Sequence, residues 1–165
     1  MKIWVDKQGT IEQFNRLFRQ ALAQERPGGL LVLTCDANGF EPESLDPMLR
    51  SAPVPVFGGV FPAIIHDNTK LDRGTIILPI DARVQCIELF DISNPSVDFV
   101  DTIDGQAQDI SAPHTLFVFM DGFARRINAF ISGLFTVFGL ECNYIGGGTG
   151  SLSMQAQPCV ITHHG

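Results

Sequence analysis

Residues Leu116–Ser151 read "LFVFMDGFARRINAFISGLFTVFGLECNYIGGGTGS", and the hydrophobic period changes twice within them. Thr115–Met120 is apolar on both faces, which suits a central strand covered on two sides, and it runs into Asp121-Gly122. Ile127, Phe130, Ile131, Leu134, Phe135 and Phe138 then recur at helical spacing as a wide buried stripe, and Gly139 closes the helix. Glu141–Ile145 reads as a second strand that runs into a glycine loop, Gly146–Gly150. Strand, helix, strand is a right-handed crossover between parallel strands.

The same arrangement occurs earlier in the chain. "LLVLTCD" (residues 30–36), a helix near Leu45–Arg50 with Asp46 before Pro47 at its start, and "VPVFGGV" (residues 54–60) parallel "LFVFMDG", its helix and "CNYIGGG". Each unit has a buried strand ending in Asp, a crossover helix and a strand ending at glycines. Both glycine turns are therefore expected at one sheet edge, beyond the carboxyl ends of the strands, where open α/β sheets bind ligands. The candidate ligand residues are Gly58, Gly59, Asp121, Gly122, Gly146, Gly147, Gly148 and Thr149, with Asp36 and Gly150 beside them.

The remaining elements fill in a mixed sheet. After a short apolar stretch, Ile3–Val5, Thr10-Ile11-Glu12-Gln13 has the form of a capping box ahead of a helix with Ile11, Phe14, Leu17, Phe18, Ala21 and Leu22 on one face. Pro27-Gly28-Gly29 stops it. Phe61–Ile65, Thr75–Ile80 and Val84–Phe90 read as a meander, and Gln157–Thr162 as a last strand. Asp91–Pro113 is polar and rich in turn formers, with one short strand at Val97–Ile103; a mobile lid and an ordinary surface loop are both open readings. The fold class is α/β: a mixed β-sheet with packed helices, two similar β-α-β units and an antiparallel meander. Two-layer and four-layer arrangements are both compatible with it.

The 165 residues suit one domain, which at this size buries about 70% of the surface its unfolded chain exposes. Hydrophobic residues make up 45% and charged residues 18%, the balance of an ordered globular protein. A net charge of −7 without clustered Lys or Arg argues against a nucleic-acid partner. The first residues, "MKIWVDKQGT", lack the apolar core of a signal peptide, and the greasiest helix is too short for a bilayer, so no membrane partner is expected and the location is read as cytoplasmic. Cys35, Cys86, Cys142 and Cys159 form no Cys-x-x-Cys pair and read as reduced thiols.

Catalytic and cofactor chemistry finds little to work with. His66, His114, His163 and His164 lack metal-ligand spacing, no Ser sits in a Gly-x-Ser-x-Gly elbow, and no cofactor motif occurs. His66-Asp67 has the residue types of a base and its partner, without a nucleophile to serve. Asp36 and Asp121 either cap the turns that follow them or contact a ligand. Arg125-Arg126 opens the long helix, where a cation opposes the dipole unless an anion is near; a surface Asp or Glu and a ligand carboxylate both satisfy that. The string Gly146–Ser151 also approaches the phosphate loop of tubulin and its bacterial cell-division relatives, which makes a nucleotide-binding or hydrolytic enzyme the rival reading. A structural interaction domain is the third.

"VFGGVFPAII" together with "MDGFARRINAFISGLFTVFGLECNYIGGGTGS" resembles the N-terminal FIST domain, from about Leu30 onward and most specifically between Asp121 and Gly150. The resemblance implies a non-catalytic sensory domain of signal transduction that takes a small molecule, such as an amino acid. It also implies a partner: a C-terminal FIST domain or another signalling domain or protein. Residues 1–165 are read as one FIST-N-like domain without that C-terminal partner. Ser151 stands where members often carry an acidic residue, and Gly59-Val60-Phe61-Pro62 where they often carry small hydroxyl residues.

Overall fold

The computed structural model describes residues 2–23, 27–110, 115–154 and 157–165. The chain forms two compact units, one from residues 1–84 and 149–165, the other from Gln85–Gly148.

The first unit is built on a five-stranded mixed sheet. Its strands are β1 (Trp4–Asp6), β2 (Gly29–Cys35), β3 (Val56–Phe61), β6 (Thr75–Ile80) and β9 (Val160–Thr162), ordered β1-β6-β2-β3-β9. β2 and β3 pair in parallel, Leu30 opposite Val56, and the other pairings are antiparallel. β2 is central and buried along nearly its whole length, as its apolar run predicts. Leu30 and Val32 face Phe14 and Phe18 of α1 (Ile11–Leu22) and Leu45 and Leu49 of α2 (Pro42–Arg50). Leu33 and Cys35 face the other way, with Ile76, Ile64 and Leu71. Those last two belong to the hairpin of β4 (Ile64–His66) and β5 (Thr69–Leu71). Its turn residues Asp67 and Asn68 have φ of 48° and 60°, a left-handed pair that Asx side chains tolerate and that matches the strand twist.

Local chemistry corrects several expected boundaries. Thr10 caps α1, accepting from Gln13 N at 3.3 Å, but the Gln13 side chain donates to Gln8 at 3.4 Å rather than reaching back. α2 begins at Pro42, not at Asp46: a proline in the first turn loses no helical bond, and Asp46 instead pairs with Arg50 at 2.9 Å. Phe61–Ile65 is not one strand, because β3 ends at Phe61, just before Pro62, and β4 starts at Ile64. The last expected strand shortens to β9, Val160–Thr162.

The second unit packs α3 (Phe99–Ala107) and α4 (Ile127–Phe138) with β7 (Thr115–Asp121) and β8 (Asn143–Thr149), which form a two-stranded sheet. Its core is Phe99, Ile103, Met120, Phe130 and Leu134. A Cβ on Gly133 would lie 2.9 Å from that of Phe99, so a glycine here lets the helices approach closely. Phe99 and Phe130 meet edge to face at 5.9 Å. Tyr144 donates its hydroxyl to the Gly139 carbonyl, and burial, with Cys142 beside it, pushes the phenol above its ordinary pKa.

Two expected strands in this unit take other forms. Val97–Ile103 is largely the first part of α3, because Asp98 accepts from Val100 N at 2.9 Å and Asp101 N at 3.2 Å and so caps a helix. Val84–Phe90 forms no strand. Glu88 bonds the Gln106 side chain instead, N–H to Oε1 at 3.2 Å and carbonyl from Nε2 at 3.0 Å.

Candidate functional site

The two strand, helix, strand units resemble each other in backbone geometry. Gly58 has φ +146° and lies opposite Val32; a Cβ there would sit 1.8 Å from the Val32 carbonyl oxygen. Gly146 has φ +144°, and its Cβ would sit 1.9 Å from the Val118 carbonyl oxygen. Further along β8, the Cβ of Gly148 would meet Gly122 Cα at 3.0 Å. Val118 to Gly122 and Gly146 to Gly148 run in the same sense, so β7 and β8 are parallel. Gly58, Gly146 and Gly148 are thus needed for close approach of two backbones.

The two parallel pairs belong to separate sheets, β2 and β3 to a five-stranded one and β7 and β8 to a two-stranded one, rather than to the single sheet expected. Gly58, Gly59 and Thr149 lie in the first unit. Asp121, Gly122, Gly146, Gly147 and Gly148 lie in the second. A five-stranded neighbourhood surrounds one pair and a two-stranded one the other, a difference that local hydrophobic pattern does not encode.

In the first unit Thr149 and Gly150 dock on the end of β3. Gly150 N donates to Val60 O at 2.9 Å, and the buried Thr149 gives its hydroxyl proton to Cys159 Sγ at 3.1 Å. A Cβ on Gly59 would strike Thr149 Cγ2 at 2.2 Å, which explains that glycine by packing. Asp36 does not cap its own turn. One oxygen accepts from Ser151 Oγ at 2.6 Å and the other from Gln157 Nε2 at 3.0 Å, while Ser153 N donates to Ser151 Oγ at 3.0 Å. Ser151 is buried, so this is a charge-assisted clasp between the carboxyl end of β2 and the segment after β8. Cys35, at the same end of β2, donates to Leu71 O at 3.3 Å, and burial holds its thiol above the ordinary range, which suits an inert core residue.

In the second unit Asp121 caps its turn, accepting from Phe123 N at 2.9 Å. The glycines are not a loop: β8 continues as strand to Thr149, and a turn over Leu152–Ser153 follows rather than a helix, so the helix N-terminus of a phosphate cradle is lacking among the described residues. Gly147 differs from its neighbours. Its φ lies outside the left-handed region, it is half-buried, and an added Cβ would meet nothing within 4 Å.

Other candidate residues have local partners or none. His66 Nδ1 lies 3.2 Å from Asp67 Oδ2, and the His163 and His164 rings stack edge to face at 5.4 Å. His114 lies outside the described residues. Arg125 N–H donates to Ser93 Oγ at 3.1 Å, and the Arg126 guanidinium bonds the Asn94 and Val97 carbonyls. Neither arginine forms an ion pair among the described residues. No three His, Cys, Asp or Glu side chains converge on a metal position there, and no helix there is long and apolar enough to cross a membrane. Ser151 and Gln157 escaped sequence reasoning, since their partner Asp36 is 115 and 121 residues away.

This is an α/β protein with two strand, helix, strand units, each carrying a glycine-tight parallel strand pair. A family model for the FIST N domain matches residues 29–165, and the chain belongs to that family. FIST domains are associated with signal-transduction sensing and are not a known enzyme family. Neither a curated protein nor a solved structure matches the chain significantly.

Proposed function

We propose that the chain is a cytoplasmic, non-catalytic input domain that binds a small polar metabolite, amino-acid-like in chemistry, and relays its presence to a C-terminal FIST domain or another signalling partner. The observation that carries this reading is Gly147. Its neighbours are glycine because a side chain would collide or because φ is positive, yet Gly147 has an ordinary φ and open space where its Cβ would be. A glycine in a strand that packing does not require suits close approach of a ligand to the backbone. Asp121 and Gly122, on the paired strand and the turn after it, supply a carboxylate oxygen and a bare backbone next to it.

Thermal unfolding against amino acids, small carboxylates, and nucleotides with magnesium tests the proposal. A ligand at 100 times its dissociation constant adds about 2.7 kcal/mol, which at this size raises Tm by about 5–10 °C. Gly147→Ala should abolish the shift given by an amino acid while leaving the unliganded Tm nearly unchanged. A shift with nucleotides alone would replace this reading with a phosphate-binding one, and an undiminished shift in Gly147→Ala would move the ligand elsewhere.

A further inference from the structure

An open groove of about 430 Å³ runs between α3 and α4 and the segment leading into α3, with buried Phe99 and Gly133 among its lining residues. Arg126 lines it in a fixed pose: Nη1 donates to the Asn94 carbonyl and, at 2.9 Å, to that of Val97, and the guanidinium carbon lies 4.7 Å from the Phe99 ring centroid. That anchoring leaves its Nε and Nη2 protons without a protein acceptor among the described residues, and no carboxylate is in ion-pair range there. The positive charge is not offset by the helix it begins, since α4 has no side-chain cap and no acid in its first turn. The remaining donor edge of a guanidinium matches the two oxygens of one carboxylate.

We propose that this groove binds a small monocarboxylate with an apolar tail. The carboxylate takes the Nε and Nη2 edge of Arg126, and the tail lies against Phe99, Val97 and Val100. Asp98 on the same rim sets the charge limit. Its Oδ1 holds the amides of Val100 and Asp101, and its negative charge, on a chain of net charge −7, tolerates one added charge far better than the two of a phosphate. Ser132 lines the groove from α4, away from the Arg126 bonds, and its size keeps the space open. The site shares no residue with the glycine turns, so it stands or falls independently of the function proposed above.

Backbone and arginine side-chain NMR of the full chain, titrated with phenylacetate and butyrate, reads the site directly. Saturable shifts at roughly millimolar concentration in Arg126 Nε–H and in the Val97–Val100 amides are expected. The corresponding amides, phenylacetamide and butyramide, and inorganic phosphate should leave them unmoved. Arg126→Lys should weaken binding about tenfold or more through loss of the planar fork. Ser132→Phe should abolish binding with the folded spectrum retained, and Gly147→Ala should leave it intact. Absence of saturable shifts overturns the proposal; so do an equal response to the neutral amides, an equal response to phosphate, or persistence of binding in Ser132→Phe.

Discussion

The β2, α2, β3 unit and the β7, α4, β8 unit share a sequence pattern and a backbone geometry, yet differ in how far they are buried. Six of seven β2 residues are buried, against Met120 alone in β7. Gly58 and Gly146 have nearly the same φ and nearly the same approach to the opposite carbonyl, so the crossover itself is equally well made. The difference lies in the surroundings: β6 and β9 flank the first pair, while the second is a two-stranded sheet. A buried run followed by Asp, a helix and a glycine strand specifies a parallel pair; the elements packed on its faces, α1 and α2 on one side and the β4–β5 hairpin on the other in the first unit, together with the strands beside it, decide how much of that pair leaves solvent.

The comparison breaks most severely at the two glycines. Gly58→Ala and Gly146→Ala each force a Cβ into a backbone carbonyl, and each is expected to cost more than about 4 kcal/mol. The loss should be greater at Gly58, whose strand is held on both sides and relaxes less; urea midpoints check the order. Phe18→Ala is expected to cost about 4 kcal/mol and Phe130→Ala about 3 kcal/mol, because Phe18 is fully buried and Phe130 retains slight exposure. Ser151→Ala should cost about 1–3 kcal/mol by leaving Asp36 short of a donor. It should raise amide exchange in β9 and the end of β3 while sparing β8. Gly147→Ala should change stability by no more than about 1 kcal/mol, with a gain as the expected sign, since alanine restricts the unfolded chain.

The smallest effect concerns Tyr144, the only tyrosine. Its phenol is held above the ordinary pKa, so the native fold favours the protonated form. That contribution is complete below the unfolded tyrosine pKa and is lost as pH rises through the folded one. Ultraviolet titration should therefore show native ionisation at higher pH than in urea.

The elements that sequence reading recovered were those whose pattern repeats. β2 and β7, apolar on both faces, both form strands, but only β2 is central and covered on two sides as expected; β7 lies in a two-stranded sheet with Met120 alone buried. α1 and α4 show helical spacing over twelve residues each. α3 was hidden because the β-branched Val97, Val100 and Ile103 suit a strand, whereas Asp98, bonded to two following amides, caps a helix that begins at Phe99 and takes in Val100 and Ile103. The glycines announced unusual backbone positions, but whether each faces a carbonyl, a methyl group or open space is a matter of register and tertiary approach. The Asp36 clasp was illegible for a different reason. A hydrogen bond spanning 115 residues leaves no local trace.

Because β9 completes the sheet of the first unit from beyond the second, that sheet is discontinuous in the chain. A growing polypeptide has β1 through β6 available early, but the edge beside β3 stays open until residues 149–165 emerge. By then the whole of Gln85–Gly148 lies within the loop to be closed. The added entropy is modest, about 0.6 kcal/mol for each doubling of loop length, but contacts of such long separation slow folding. Closure of the β3 edge, with Ser151 finding Asp36, is therefore expected as the last step on the pathway. Until then the chain presents an unpaired strand to its neighbours, which makes the interval before that closure its period of greatest risk of aggregation.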